Sequence, residues 1–181
     1  MNFRALRLLP AVLLALLPAA GATAVAAAET PSGLPLPRFV TTRSTPINVR
    51  VGPGFKYGVS WIYKVAGTPV EILQEFDVWR KIRDVDGSEG WVHQNMLSGN
   101  RAGYVLPEAN TDRIALRSAA ADEAGVAAWV GPGFPVRIRS CDAGVGAVTA
   151  TDHPPSGPVA TYSGYLPEGD IWGVYRGESF D

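Results

Sequence analysis

From Arg38 onward the chain is a succession of short runs in which apolar and polar side chains alternate, each stopped by glycine or proline. Residues 47–51 (INVRV) alternate and end at Gly52-Pro53-Gly54, whose backbones take turn dihedrals that other residues resist. Residues 59–65 (VSWIYKV), rich in β-branched and aromatic side chains, end at Ala66-Gly67. Runs at 69–76, 79–85 and 90–93 follow, and the Asp86-Gly87 pair predicts a tight hairpin between the last two. Five short strands in about 60 residues make a sheet that must curl to bury its apolar face. Helical periodicity is missing throughout, and the one alanine-rich stretch, 118–128, is split by Gly125.

Laid over the first half, the second half repeats this order. Val49-Arg50 falls on Leu116-Arg117, Gly58-Val59 on Gly125-Val126, and PVEI at 69–72 on PVRI at 135–138. GWVHQNMLSG from Gly90 falls on GYLPEGDIWG from Gly164 once extra residues around DHPPSGPV are allowed. The pentapeptide VGPGF occurs at 51–55 and 130–134, but in this register the two sit in different loops. Each therefore reads as a strand-ending turn. Neither is followed by the helix N-terminus that a phosphate cradle needs.

Residues 1–28 are set apart by a positive start (Arg4, Arg7), an apolar run and small residues ending in A-x-A sites, the three-part order of a cleaved secretory signal peptide. Residues 29–37 (ETPSGLPLP) form a proline-rich leader expected to be extended and poorly ordered. The rest divides into a first unit at 38–104, a second at 105–176 and a tail at 177–181. The protein is expected to be exported, periplasmic or secreted, with no stable membrane span.

Charge adds to this division. Nine Lys/Arg face six Asp/Glu over 38–104, and five face ten over 105–181. Neither half has the dense basic stripe of a nucleic-acid binder. The single cysteine, Cys141, excludes an intrachain disulfide framework and, with only His93 and His153, argues against a zinc site. No metal or other cofactor is expected. Cys141 reads as a buried, inert thiol, with pairing between chains as the alternative; it runs into a DAGVGA turn and not into a helix that would activate it. Asp84 and Asp86 flank a turn, where aspartate serves backbone hydrogen bonding and not glycosidase chemistry.

The order NVRVGPGFKYGV, PVEI, DVWRKIRDVDGSEGWV and NMLSG resembles a bacterial SH3-like domain of exported cell-envelope proteins, across nearly all of 38–100. Residues 105–176 look like a degenerate copy with Val145 in place of Trp79 and Tyr165 in place of Trp91. Relatives often carry a cysteine pair around the equivalent strand; here Cys141 has Gly146 where the partner would fall. The resemblance implies an all-β fold of two small SH3-like barrels, no catalysis, and binding of peptide or cell-wall material.

Strand alternation points Ile82 and Val92 inward, and Trp79, Lys81, Arg83, Trp91 and His93 outward. With Tyr57 from the GPGFKY loop, these make a candidate aromatic groove flanked by cations, suited to an extended peptide. The competing reading is that each tryptophan covers the open end of a small barrel. Two functions follow: a non-catalytic module that recognises peptidoglycan or a peptide, or a structural adaptor between proteins of an envelope assembly.

Overall fold

The structure, a computed structural model, describes residues 30–106 and 111–180. The signal-peptide assignment at 1–28 lies outside the described residues. The fold is all-β and SH3-like, with fourteen strands among the described residues, in two sheets of seven. The first sheet holds β1 (Arg38–Thr42), β2 (Ile47–Arg50), β3 (Val59–Tyr63), β4 (Pro69–Phe76), β5 (Trp79–Arg83), β6 (Glu89–His93) and β7 (Leu97–Ser98). The second holds β8 (Ala102–Val105), β9 (Ile114–Arg117), β10 (Val126–Val130), β11 (Pro135–Asp142), β12 (Val145–Asp152), β13 (Ala160–Pro167) and β14 (Ile171–Trp172).

The spatial orders are β3-β2-β6-β5-β4-β1-β7 and β10-β9-β13-β12-β11-β8-β14, so each strand of the first sheet has a counterpart seven elements later. A short 3₁₀ turn precedes the last strand in both, Gln94–Met96 and Glu168–Asp170. The correspondence is that of the sequence register: Arg50 pairs with Trp91, and Arg117 with Tyr165.

Each sheet has its own core. Val40, Ile47, Val49, Val70, Ile72, Ile82, Val92 and Leu97 form one cluster, and Val105, Leu116, Val130, Val136, Ile138, Val148, Ala150, Leu166 and Ile171 the other. β2 and β7 lie far apart in the strand order yet share the first cluster, so the sheet curls around it. Gly90 and its counterpart Gly164 allow the tight wrap: a Cβ on Gly90 would stand 2.4 Å from Val49 Cγ1, and one on Gly164 2.4 Å from the Arg117 carbonyl.

The β5–β6 hairpin forms as its sequence predicts. Gly87 has φ 82°, and the Asp84 carboxylate accepts from the Asp86 and Ser88 amides, both at 3.1 Å. The alanine-rich stretch is turns leading into β10. The extra residues around DHPPSGPV lengthen the β12–β13 hairpin to eight-residue strands.

Four features differ from the sequence reading or add to it. β1 was not anticipated as a strand; it pairs with β4 and β7. The leader is folded back, not loose: the Ser32 amide and hydroxyl donate to Glu75 at 2.8 and 2.7 Å, and Arg38 reaches the same carboxylate at 2.6 Å. At the other end, Phe180 exchanges backbone hydrogen bonds with Cys141, at 2.9 and 3.0 Å, stitching the tail to β11. β8 already begins at Ala102 and belongs to the second sheet, so the expected division after residue 104 falls within a strand.

The two sheets meet around Phe39, whose ring packs edge-on against Trp172 at 5.1 Å and tilted on Tyr175 at 4.8 Å. Beside it the Tyr175 hydroxyl donates to Glu71 at 2.8 Å. Burial, and then this bond to an anionic acceptor, push the Tyr175 hydroxyl well above the usual phenol range.

Candidate functional site: an aromatic cleft on the first sheet

In β5 and β6 the register sets Trp79 opposite His93 and Lys81 opposite Trp91, on the outward face of the hairpin. Ile82 and Val92 are fully buried beneath, as alternation requires. The outward tryptophan is nonetheless covered: Trp79 is 6% exposed, because the loop after β2 folds over it. That loop delivers Phe55 edge-on to Trp79 (5.1 Å between centroids, 76° between planes) and stacked with His93 (6.1 Å, 21°). Trp79 and His93 complete the trio at 5.6 Å and 83°. Phe55 is itself 73% exposed, so its outer face is open to solvent.

Arg50 holds the loop in this pose. Its guanidinium donates to the Tyr57 carbonyl at 2.7 Å and the Phe55 carbonyl at 3.3 Å, and lies 5.6 Å from the Phe55 ring. These are charge-assisted bonds to backbone together with a cation–π contact. His93 is oriented by the chain beyond it, its Nδ1 accepting from the Asn95 amide at 3.2 Å. The proton of the neutral imidazole is therefore carried by Nε2. Around the trio Pro46, Asn48, Asn95 and Met96 close a cleft of about 300 Å³. This is an apolar floor with a few polar groups at the rim, the usual make-up of a small binding site.

The sequence-derived residues are thus divided. Trp79 and His93 line the cleft. Tyr57 does not: its ring sits against Gly52, where a Cβ would come within 2.7 Å of it, and Phe55 takes the place expected for it. Trp91 lies half-buried between Arg50 and Lys81 in the next row of the sheet, next to the cleft but outside its lining. Lys81 is paired with Glu89 at 2.6 Å. Arg83 is drawn away to Glu71, its Nε donating at 3.0 Å. Phe55, Arg50 and Asn48 were missed. The signal for Phe55 was present in the VGPGF pentapeptide, which does end a strand but also carries the ring that caps Trp79.

The second sheet keeps the scaffold of this cleft and changes its lining. Arg117 donates to the Ala124 carbonyl at 3.0 Å, as Arg50 does to that of Tyr57. A smaller hollow of about 210 Å³ lies in the same place, bounded by Ala115, Asp122, Val145 and Pro167 where the first sheet has Asn48, Phe55, Trp79 and His93. All three rings are gone. Cys141 stands opposite Gly146 across β11 and β12, fully buried, its thiol donating to Glu168 at 3.1 Å. Burial first, and then the carboxylate, push that thiol up to about 12.

No curated protein matches the chain. The solved structures similar to it include two from one organism. NlpC2 from Trichomonas vaginalis is 13% identical with a TM-score of 0.32, over 75% of this chain and 48% of its own. NlpC1 from the same organism is 13% identical with a TM-score of 0.33, over 83% of this chain and 51% of its own. The chain spans about half the length of either. Among the described residues no helix is long and apolar enough to cross a membrane. Residues 43–99 match the family profile described as "Bacterial SH3 domain". Such domains are commonly binding modules for cell-wall or protein partners outside the cytoplasm. The matched span runs from the turn after β1 to the end of β7, holds every residue of the first core except Val40 and carries the aromatic cleft, so the likeness of residues 43–99 to a bacterial SH3 domain covers the first sheet without β1.

Proposed function

We propose that the protein is a non-catalytic, exported binding module that holds cell-wall peptidoglycan, through its peptide part, in the cleft formed by Phe55, Trp79 and His93. The observation that carries this reading is Phe55: a large ring, 73% exposed, held in the open by Arg50 over a buried tryptophan. Covering such a ring with a ligand recovers apolar area that folding left in water. Asn48, Asn95 and the imidazole N–H supply hydrogen-bonding groups at the rim, which an extended peptide with its free amides and carbonyls can use. The second sheet is a duplicated copy that has lost the three rings, and we assign it no share in this binding.

Co-sedimentation of the exported form with purified peptidoglycan sacculi tests the reading. Wild-type protein pellets, while Phe55→Ala, a truncation at an exposed position that leaves the fold intact, stays in the supernatant. Equal pelleting of the two removes the cleft from the interaction, and a wild-type protein that stays soluble removes the ligand. The adaptor reading is favoured by one feature, the edge strand β3, which leaves Val59 and Ile62 exposed beside a free ladder. Pull-down of an envelope protein that is lost on Ile62→Lys and kept in Phe55→Ala supports it.

A further inference from the structure

A second concave surface lies where the two sheets meet, and it shares no residue with the aromatic cleft. Arg43 reaches it from the turn after β1, Asn100 and Arg101 from the connection between the sheets, Arg137 and Arg139 from β11, and Thr149 from β12. It has two sections, of about 440 and 490 Å³, joined through Asn100, Arg101, Arg137 and Thr149 into one continuous trough.

Among the described residues no aspartate or glutamate lines either section. This is unexpected in a chain with 17 acidic against 16 basic residues, and more so in its second half, where two of the five arginines stand in the trough. Arg101 is neutralised by Glu178 at 2.7 Å, and its buried Nε has no acceptor among the described residues. Arg43, Arg137 and Arg139 are exposed, and none has an acidic partner among the described residues. Three unbalanced guanidinium groups thus face one elongated trough, with donors added by Asn100 and by the Ser98 hydroxyl, whose oxygen accepts from the Asn100 amide at 3.3 Å, while the Thr149 hydroxyl lies 3.4 Å from that of Ser163.

We infer that this trough binds an extended polymer of phosphate groups. Guanidinium forks match tetrahedral and planar oxyanions alike, but the surplus of hydroxyl and amide donors suits an anion with three acceptor oxygens better than a carboxylate with two. A polymer is indicated over a single ion because the charges are spread along the trough and come from both sheets. Nucleic acid fits poorly, since single strands are held by stacking bases on free rings. Of the aromatic side chains among the described lining residues, Phe180 is already covered by the Arg101 guanidinium at 4.2 Å, and His153 offers a single imidazole where a strand needs a ring for each successive base.

The test is fluorescence anisotropy of the wild-type chain with labelled short-chain inorganic polyphosphate, with poly-glutamate and oligo-thymidylate as competitors. Three neutralised phosphates give a slope of about −2 in log K against log salt, so binding falls roughly 15-fold between about 50 and 200 mM. Arg137→Glu with Arg139→Glu loses at least tenfold, Arg43→Gln on the other sheet about fivefold, and Phe55→Ala nothing. Because all three arginines are exposed, unchanged melting temperatures keep the comparison about binding. Competition by poly-glutamate or oligo-thymidylate as strong as that of unlabelled polyphosphate overturns the phosphate assignment. Unchanged affinity in the arginine variants overturns the site, and this outcome leaves the sacculus reading of the aromatic cleft untouched.

Discussion

Replacing Glu75 by glutamine tests how the leader is tied to the first sheet. The Glu75 side chain is fully inaccessible and gathers the Ser32 amide and hydroxyl, Arg38 at 2.6 Å and Arg80 at 3.2 Å. Burial on its own would raise this carboxyl, but the bonds from Ser32 and Arg38, with the charge of Arg80, outweigh it and hold the group below its ordinary 4.5. Glutamine keeps the shape and loses the charge, leaving Arg80, 6% exposed, with an uncompensated cation. Breaking a deeply buried pair costs about 3–5 kcal/mol; here the leader side of the network faces water, and about 2–3 kcal/mol is expected. For a unit of this size that is a fall of roughly 8–20 °C in melting temperature. A group with a lowered folded pKa contributes stability that is fully present above 4.5 and lost as pH falls through the lowered value. The wild type therefore loses melting temperature below about pH 4.5, and Glu75→Gln lacks that component. Calorimetry from pH 3 to 7, with limited proteolysis of the leader, measures both. A variant that melts within about 2 °C of wild type and shares its acid profile refutes the network as the anchor.

The paired glycines give a second test: Gly90→Ala and Gly164→Ala both overpack a sheet crossing, and each should cost about 1–3 kcal/mol in denaturant unfolding, whereas alanine at open Gly58 costs no more than the usual surface change. Cys141, buried and with its pKa raised to about 12, should not react with iodoacetamide at pH 8 until the chain unfolds; labelling of the native protein at a free-thiol rate would contradict the buried placement. Tyr175→Phe removes the bond to Glu71 across the sheet junction, while Arg83 still pairs that carboxylate, so a loss of only about 1 kcal/mol is expected in thermal unfolding.

The elements most legible in the sequence were those fixed by neighbours along the chain. Alternation in VSWIYKV and WRKIR, the Asp86-Gly87 turn and the matching of PVEI with PVRI each depend on a few adjacent residues, and the structure contains them in that register. RFVTT at β1 was not legible as a strand. It has little alternation, and its four consecutive buried residues follow from its place between β4 and β7. At the cleft, period two gave the correct face for Trp79 and His93 but could not show what lay over it. Which ring caps Trp79 depends on how residues 51–57 turn, and that depends on the Tyr57 ring filling the space left by Gly52.

The sequence by itself determined an all-β chain with two matched strand orders, the inward faces of the strands and the turns between them, because side-chain period and turn dihedrals are local quantities. Tertiary structure alone decided which charges are spent and which are free. Arg83 and Lys81 looked like groove cations and are paired with Glu71 and Glu89. Arg43 and Arg137 stand 94 positions apart in the chain and line one trough because the curled sheets meet there. Long side chains find partners by distance through space, and no pattern of neighbours along the chain records that distance.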